Sequence, residues 1–365
     1  MKSYGLKRNI GLDAVRAAAI IFVVFGHSIL YFSEGPLKEY SHYICLDGVT
    51  IFFVLSGFLI SGIIYKDSNN CLYQFNLKKF WLRRMLRTFP VYYFVLIIIL
   101  TLSDYEKSFY WKYIFFIQNF FNTHPPFFGE AWSLSVEEWF YILFPITLIT
   151  IRCKTLSFLN IVLICIIIFF VLSFIFRYHT YQNLEDIDII KWDLYFRKRV
   201  ECRFDSLMVG VLGGLLYAFK KDILLKYSKS LFTIGVLIIL ISQILFINLL
   251  NSTFDYGLYF CVIYLFQCSL GVLLLFPSLI KHDFGVNLVS RSITHISKIS
   301  YSMYLTNHTL VQSFWLPFIF THFSLKDFAF MKVLIFLLST YAFSTILYYL
   351  VELPSLYLRE KLVPR

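Results

Sequence analysis

Apolar runs of near-spanning length recur along the whole chain, at about 10–32, 43–65, 88–103, 132–151, 155–176, 204–219, 231–250, 257–280, 297–320 and 329–350. About 20 apolar residues of helix cross a bilayer's hydrocarbon core. The pattern therefore predicts an all-α polytopic integral membrane protein with about ten transmembrane helices. The third and sixth runs are short, and 110–121 reads as a re-entrant or interfacial piece. Of 365 residues, 59% are hydrophobic and 15% charged, a balance that soluble domains do not have. No repeat, low-complexity tract or second domain is visible, so a single transmembrane domain over 1–361 is expected. Leu362-Val-Pro-Arg365 matches the scar of a cleaved tag.

The formal net charge of +11 would suggest a nucleic-acid partner in a soluble protein. Here the positive-inside rule accounts for it, and no nucleic acid is expected. With a cytoplasmic N-terminus, the inner segments are 66–89, 152–155, 220–230 and 281–298, and the first of them holds six Lys/Arg against Asp67. Outer loops 33–42, 104–131 and 251–256 are neutral to acidic, and only 177–203 is ambiguous. This alternation supports both termini in the cytoplasm. Cysteines 45, 71, 153, 165, 202, 261 and 268 form no CxxC pair, which points to structural thiols, with no disulfide framework and no metal site. The basic N-terminus and first run resemble a signal peptide, but the run lacks a convincing cleavage site and carries charges, so its retention is expected.

Those charges are Asp13, Arg16 and His27. An Asp or Arg costs about 2.5–3.5 kcal/mol at the centre of a span, which a mere anchor has no use for. Asp13 and Arg16 share a helix face, and Arg16 and His27, eleven residues apart, share one too. Along the axis Arg16 and His27 are separated by roughly 16 Å, and Asp13 and His27 by roughly 21 Å.

Further stretches each admit a structural and a functional reading. Gly57 and Ser61 make a small-xxx-small packing face. In the amphipathic segment 77–89, Leu77, Trp81, Met85 and Phe89 share one face, with Lys79, Arg83, Arg84 and Arg87 off it. It reads either as an interfacial helix on anionic headgroups or as a phosphate clamp in which Arg84 and Arg87 offer bidentate donors. Ser135-Val-Glu-Glu138 fits a capping box, giving Glu138 a structural job and leaving Glu137 without one. In the predicted topology Glu137 lies at a depth comparable with His27. Glu201-Cys-Arg203-Phe-Asp205 either pairs internally or meets a polar ligand. Tyr304 and His308 lie one turn apart, placed for a buried hydrogen bond.

Taken in order, these motifs resemble the bacterial membrane acyltransferase-3 family, which O-acylates cell-surface sugars. The matching residues are Leu12-Asp13-x-x-Arg16 with His27, Phe52-Phe-Val-Leu-Ser-Gly57, Arg84-x-x-Arg87, Trp132-Ser133-Leu-Ser-Val-Glu137-Glu138-x-Phe-Tyr, Arg203-x-Asp-Ser-Leu-x-x-Gly210, Ser300-Tyr-Ser-x-Tyr304-Leu-x-x-His308 and Glu352-x-Pro354. The resemblance implies an acyl-CoA donor, most simply acetyl-CoA, on the cytoplasmic side of a bacterial inner membrane. It also implies an extracytoplasmic glycan acceptor, lipid-linked or polymeric, such as lipopolysaccharide O-antigen. His27 matches the family's essential histidine, and Arg16, Arg84 and Arg87 match its important arginines. Some members carry an esterase-like domain after the membrane part; none follows the last run here, so the membrane region is expected to act alone or with a separate partner.

On that basis the three arginines hold the donor's phosphates and His27 serves as general base, or as an acyl relay. Glu137 orients the imidazole in the manner of a triad acid, and Asp13 presents Arg16. Glu138, Trp132, Ser133, Tyr304 and His308 support the site. A proton-coupled transporter uses the same intramembrane His, Glu and Arg and is the competing class, with a lipid-binding scaffold third.

Overall fold

The computed structural model describes residues 9–29, 47–68, 72–103, 110–250, 257–282, 284–285, 287–323 and 329–364. Loops 33–42 and 251–256, Cys45 and Cys71 lie outside them; the other five cysteines are free thiols. Regular structure among the described residues is all helical, and each apolar run falls largely on one long helix. These are α1 (Ile10–Ile29), α2 (Gly48–Ser68), α3 (Leu77–Leu102), α4 (Ala131–Ile151), α5 (Phe158–Asn183), α6 (Phe204–Lys226), α7 (Ser228–Leu250) and α8 (Tyr264–Lys281). Next come α9 (Leu288–Thr306) and α10 (Ala329–Leu347), each prolonged through a π-helical stretch into a further helix. Eight of the described helices are long and apolar enough to cross a membrane. The chain is an all-α, multi-pass membrane protein. α6 and α9 fall outside the eight; α6 carries Asp205, Lys220, Lys221, Asp222 and Lys226, and α9 carries Arg291, His295 and Lys298.

Two boundaries differ from the sequence pattern. The amphipathic segment and the third apolar run are one helix, α3. It starts where the Asn76 side chain accepts the Lys79 N–H (2.9 Å) and continues through Pro90. Arg84 and Arg87 therefore sit on the cationic first half of a spanning-length helix. The second difference corrects the capping box. α4 starts at Ala131, four residues before Ser135, whose hydroxyl donates to Ala131 O (3.3 Å) and accepts from Gln118 Nε2 (2.5 Å). Ser135 lies inside the helix and Glu130 occupies the cap position without a side-chain cap bond. The turn Pro126–Phe128 and Gly129 bring the chain into the helix earlier than the S-x-x-E pattern indicates.

α2 is the hub. Its small face meets α6 so closely that a Cβ on Gly57 would collide with Leu207 O, and one on Gly210 with Val54 O. That is backbone-to-backbone packing of the kind small residues permit within a bilayer. α1 lies against α2, α8 and α9, so His27 is flanked by the elements that complete its surroundings. The segment 110–121 begins as a short helix, Tyr110–Ile114. It then turns irregularly against α4, with Asn119 Nδ2 donating to Trp132 O (3.0 Å) and Lys198 O (2.6 Å). Behind α2, Arg177 and Asp205 form a fully buried ion pair of 2.7 Å. Breaking such a pair by removing one partner leaves an uncompensated buried charge, at a cost of about 3–5 kcal/mol.

Candidate active site

His27 lies in the last turn of α1, and its Nδ1 is 2.5 Å from Asn307 Oδ1. The amide orientation is fixed, because Asn307 Nδ2 donates to Met303 O (2.9 Å) and Tyr304 O (2.8 Å). An amide oxygen only accepts, so Nδ1 carries the proton and the Nε2 lone pair is left free. Asn307 is fully buried and opens the π-helical stretch Asn307–Trp315. Widened turns of this kind are frequent at functional sites.

The next residue, His308, brings a second imidazole to the first, with ring centroids 4.7 Å apart. Its Nδ1 is buried without a hydrogen-bond partner and stands 3.6 Å from Glu130 Oε2. Glu130 is itself buried and held by Thr309, whose N–H donates to Oε1 (3.2 Å) and whose hydroxyl donates to Oε2. Gly129 N–H in turn donates to Thr309 Oγ1 (3.2 Å). The Gly129-Glu130 corner before α4 is thereby tied to the π-helical stretch.

Both histidines line a cavity of about 580 Å³. Its floor and walls include Trp132, Trp192, Tyr264 and a charged rim of Asp47, Arg197 and Lys198. Arg197 pairs with Asp47 (3.0 Å) and Asp193 (2.8 Å) and lies over the Trp132 ring, 4.9 Å from its centroid. Burial would raise the Asp47 carboxyl, but Arg197 and Arg203 outweigh it and hold the group well below the usual carboxylate range. A third imidazole, His124, is buried in the same wall; its Nε2 donates to Phe128 O (3.0 Å) and its Nδ1 has no partner.

A smaller cavity of about 80 Å³ brings together Arg16, Arg84, Arg87, Ser56, Glu137 and Tyr141. Arg84 stacks over the Tyr141 ring, 4.8 Å from its centroid. Arg16 Nη1 lies 3.7 Å from Asp13 Oδ1 and donates to Ser297 Oγ (3.4 Å), which donates to Asp13 (2.8 Å). No ion pair joins Arg84 or Arg87 to a carboxylate among the described residues. Val49 and Tyr304 line both cavities and form the partition between them. The Tyr304 hydroxyl donates to Glu130 O (3.0 Å) and pairs with Ser133 Oγ (2.5 Å).

The three arginines expected to act together thus share one cavity, and His27 and His308 share the other. The structure does not bring Glu137 to His27. Ser56 Oγ (2.8 Å) and Tyr141 OH (3.1 Å) occupy the Glu137 carboxylate, which lines the arginine cavity. The expected Tyr304–His308 hydrogen bond is also absent, since Tyr304 bonds to Ser133 and Glu130. Glu138 and Trp132 are buried in α4. Arg203, fully buried, donates to Thr50 Oγ1 (2.7 Å). With Arg177–Asp205 and the contact between Arg199 and Glu201, the 201–205 stretch pairs internally. Sequence reasoning missed Asn307 and Glu130. Asn307 is a polar residue inside the apolar run 297–320 and Glu130 stands just before the run 132–151, and a polar residue so placed signals a partner to be found.

A family model described as an acyltransferase domain matches residues 9–349. The O-acetyltransferase OatA of Staphylococcus aureus (strain NCTC 8325 / PS 47) is 27% identical over 337 residues, covering 85% of this chain and 52% of the relative. The peptidoglycan O-acetyltransferase OatA of Listeria monocytogenes serovar 1/2a is 31% identical over 163 residues, covering 39% of this chain and 24% of the relative. The chain spans about half the length of the Staphylococcus relative it matches. No solved structure matches it.

Proposed function

The chain belongs to the acyltransferase-3 family, and from that premise we propose that it moves an acyl group, acetyl in the simplest case, from cytoplasmic acyl-CoA to a hydroxyl of a cell-surface glycan. The observation that carries this reading is the pair of cavities meeting at Tyr304. One is lined by three arginines, two of them with no carboxylate ion pair among the described residues. The other holds an imidazole whose Nε2 is freed by Asn307. Arg16, Arg84 and Arg87 suit the phosphates of coenzyme A, because guanidinium groups bind phosphate oxygens in bidentate fashion. Arg16 and His27, roughly 16 Å apart along α1, would meet the two ends of an extended donor. His27 acts from Nε2, as general base or as acyl carrier.

With the arginine end at the cytoplasmic face of an inner membrane, the larger cavity opens to the acceptor side. Its aromatic walls and charged rim suit a polar saccharide. The Listeria relative's name favours a wall glycan over lipopolysaccharide as acceptor. Family membership supports group transfer over proton-coupled transport.

The test is the O-acetyl content of isolated surface glycan, read by NMR, in cells making the wild type or His27→Ala. The variant should fall to the background of cells lacking the protein, and unchanged content at normal expression would overturn the assignment. For the donor, Arg84→Ala and Arg87→Ala should each weaken acetyl-CoA binding in detergent by about tenfold or more. Unaltered affinity would assign these arginines to lipid headgroups instead.

A further inference from the structure

The two facing imidazoles have different partners. His27 Nδ1 donates to a neutral amide oxygen, Asn307 Oδ1 (2.5 Å). His308 Nδ1 faces a carboxylate, Glu130 Oε2, at 3.6 Å. A general base becomes an imidazolium as it works, and a buried carboxylate stabilises that cation far more than an amide does. A nucleophile needs a free lone pair on a neutral ring, which Asn307 secures for His27. A separation of 3.6 Å is within ion-pair reach, so the carboxylate attracts the ring once it is protonated.

We infer that the labour is divided: His308, positioned by Glu130, is the base that takes the proton of the acceptor hydroxyl, and His27 is the nucleophile that carries the acyl group. This rests on the acyl-transfer reading above and adds to it. In the first half-reaction His27 Nε2 attacks the carbonyl carbon of the acyl thioester. The N–C bond forms, the C–S bond breaks, and the sulfur leaves as thiolate, which takes a proton from water. The ring retains its Nδ1 proton on Asn307. In the second half the acceptor oxygen attacks the same carbon while its proton passes to His308 Nε2. The O–C bond forms, the N–C bond breaks, and the electron pair returns to His27 Nε2. The His308 imidazolium is held opposite Glu130 until it gives its proton to water, which balances the proton the thiolate took up.

Thr309 supports this assignment independently of the histidines. Its N–H and hydroxyl both donate to Glu130, which keeps the carboxylate oriented and leaves the ring of His308 as the group facing it. The side chain of His308 is 34% exposed although its Nδ1 is buried, so the remainder of the ring is open to the cavity.

The experiment uses the full chain in proteoliposomes and separates the two halves. Exchange of radiolabelled coenzyme A into acetyl-CoA without acceptor reads the first half; acetyl transfer to isolated surface-glycan fragments reads both. Wild type should do both and His27→Ala neither. His308→Gln and Glu130→Gln should retain exchange within about threefold while transfer falls about 100-fold or more, the range of a lost general base. Glu130→Gln keeps one oxygen to accept the Thr309 N–H and offers an amide N–H to the Thr309 hydroxyl oxygen, so it serves where His308→Gln fails to fold. Equal loss of exchange and transfer in both variants, or transfer left intact, overturns the division. So does a wild type that transfers without exchange. A wild type that transfers nothing from acetyl-CoA fails the parent reading instead.

Discussion

Asn307 holds His27 in a single tautomer: Oδ1 lies 2.5 Å from Nδ1 while the amide nitrogen is tied to Met303 O and Tyr304 O. A flip of the amide would forfeit both backbone bonds and set an N–H against the imidazole. The partner of the His27 ring is therefore a buried amide of the π-helical stretch that follows α9.

Asn307→Leu should reduce glycan acetylation by about 100-fold or more, because His27 loses both its tautomer and its orientation; the wrong tautomer alone costs about 10⁴-fold in a serine protease triad. Side-chain volume is roughly kept, so expression and thermal stability in detergent provide the control. Wild-type acetylation by a well-folded Asn307→Leu would remove Asn307 from the mechanism.

Glu137→Gln separates the triad-like arrangement expected from sequence from the one observed. Both Glu137 oxygens are engaged, by Ser56 (2.8 Å) and Tyr141 (3.1 Å), in the arginine cavity. Its amide variant should cost well under the ~10²-fold that removing a general base costs. The effect should appear in the dependence on acetyl-CoA concentration. A collapse as deep as that of His27→Ala would mean that Glu137 reaches the imidazole once substrate binds.

The contrast between Asn307 and Glu137 marks the limit of what the sequence discloses. Apolar runs gave the long helices because membrane-spanning length is written in composition alone. The spacing of Arg16 and His27 placed them along one axis because α1 is regular throughout. The arginines could be grouped because α3 carries two of them one turn apart. Partners across helices were another matter. Depth in the bilayer matches Glu137 to His27, but depth does not fix rotation, and α4 turns Glu137 towards Ser56 on α2. Asn307 sits at the start of a π-helical stretch, where the 3.6-residue period fails, and Glu130 belongs to a corner that the capping pattern placed wrongly.

His124 gives a pH test outside the spanning segments. Burial pushes its imidazole down to about 3, against the opposing pull of its hydrogen bond to Phe128 O. A group whose folded pKa lies below its unfolded value near 6.5 contributes stability above that value and loses it as pH falls towards the folded one. Between pH 7 and 5 the protein should lose about 2 kcal/mol through this residue. His124→Gln keeps an N–H for Phe128 O and does not titrate, so its melting temperature in detergent should fall less over that interval. Parallel pH curves for the two proteins would show that His124 is not buried neutral.

Gly129→Ala probes the second imidazole without touching it. Gly129 has φ −53° and ψ −42°, a conformation any residue adopts, so backbone strain is not at issue. The cost lies in contact: a Cβ there would stand 2.6 Å from His308 Nδ1 and 2.7 Å from Cε1. The ring must shift, which moves its Nδ1 relative to Glu130 Oε2 and its face relative to the ring of His27. A displacement of about 1 Å at a reacting group can cost about 10²-fold in rate. Gly129→Ala should therefore lose transfer to a comparable degree with only a small change in thermal stability, since the backbone conformation suits alanine and the partly exposed His308 side chain takes up the overlap. Loss of transfer together with a large fall in stability would reduce Gly129 to a packing residue. Full activity would mean that the position of His308 against Glu130 is immaterial to the reaction.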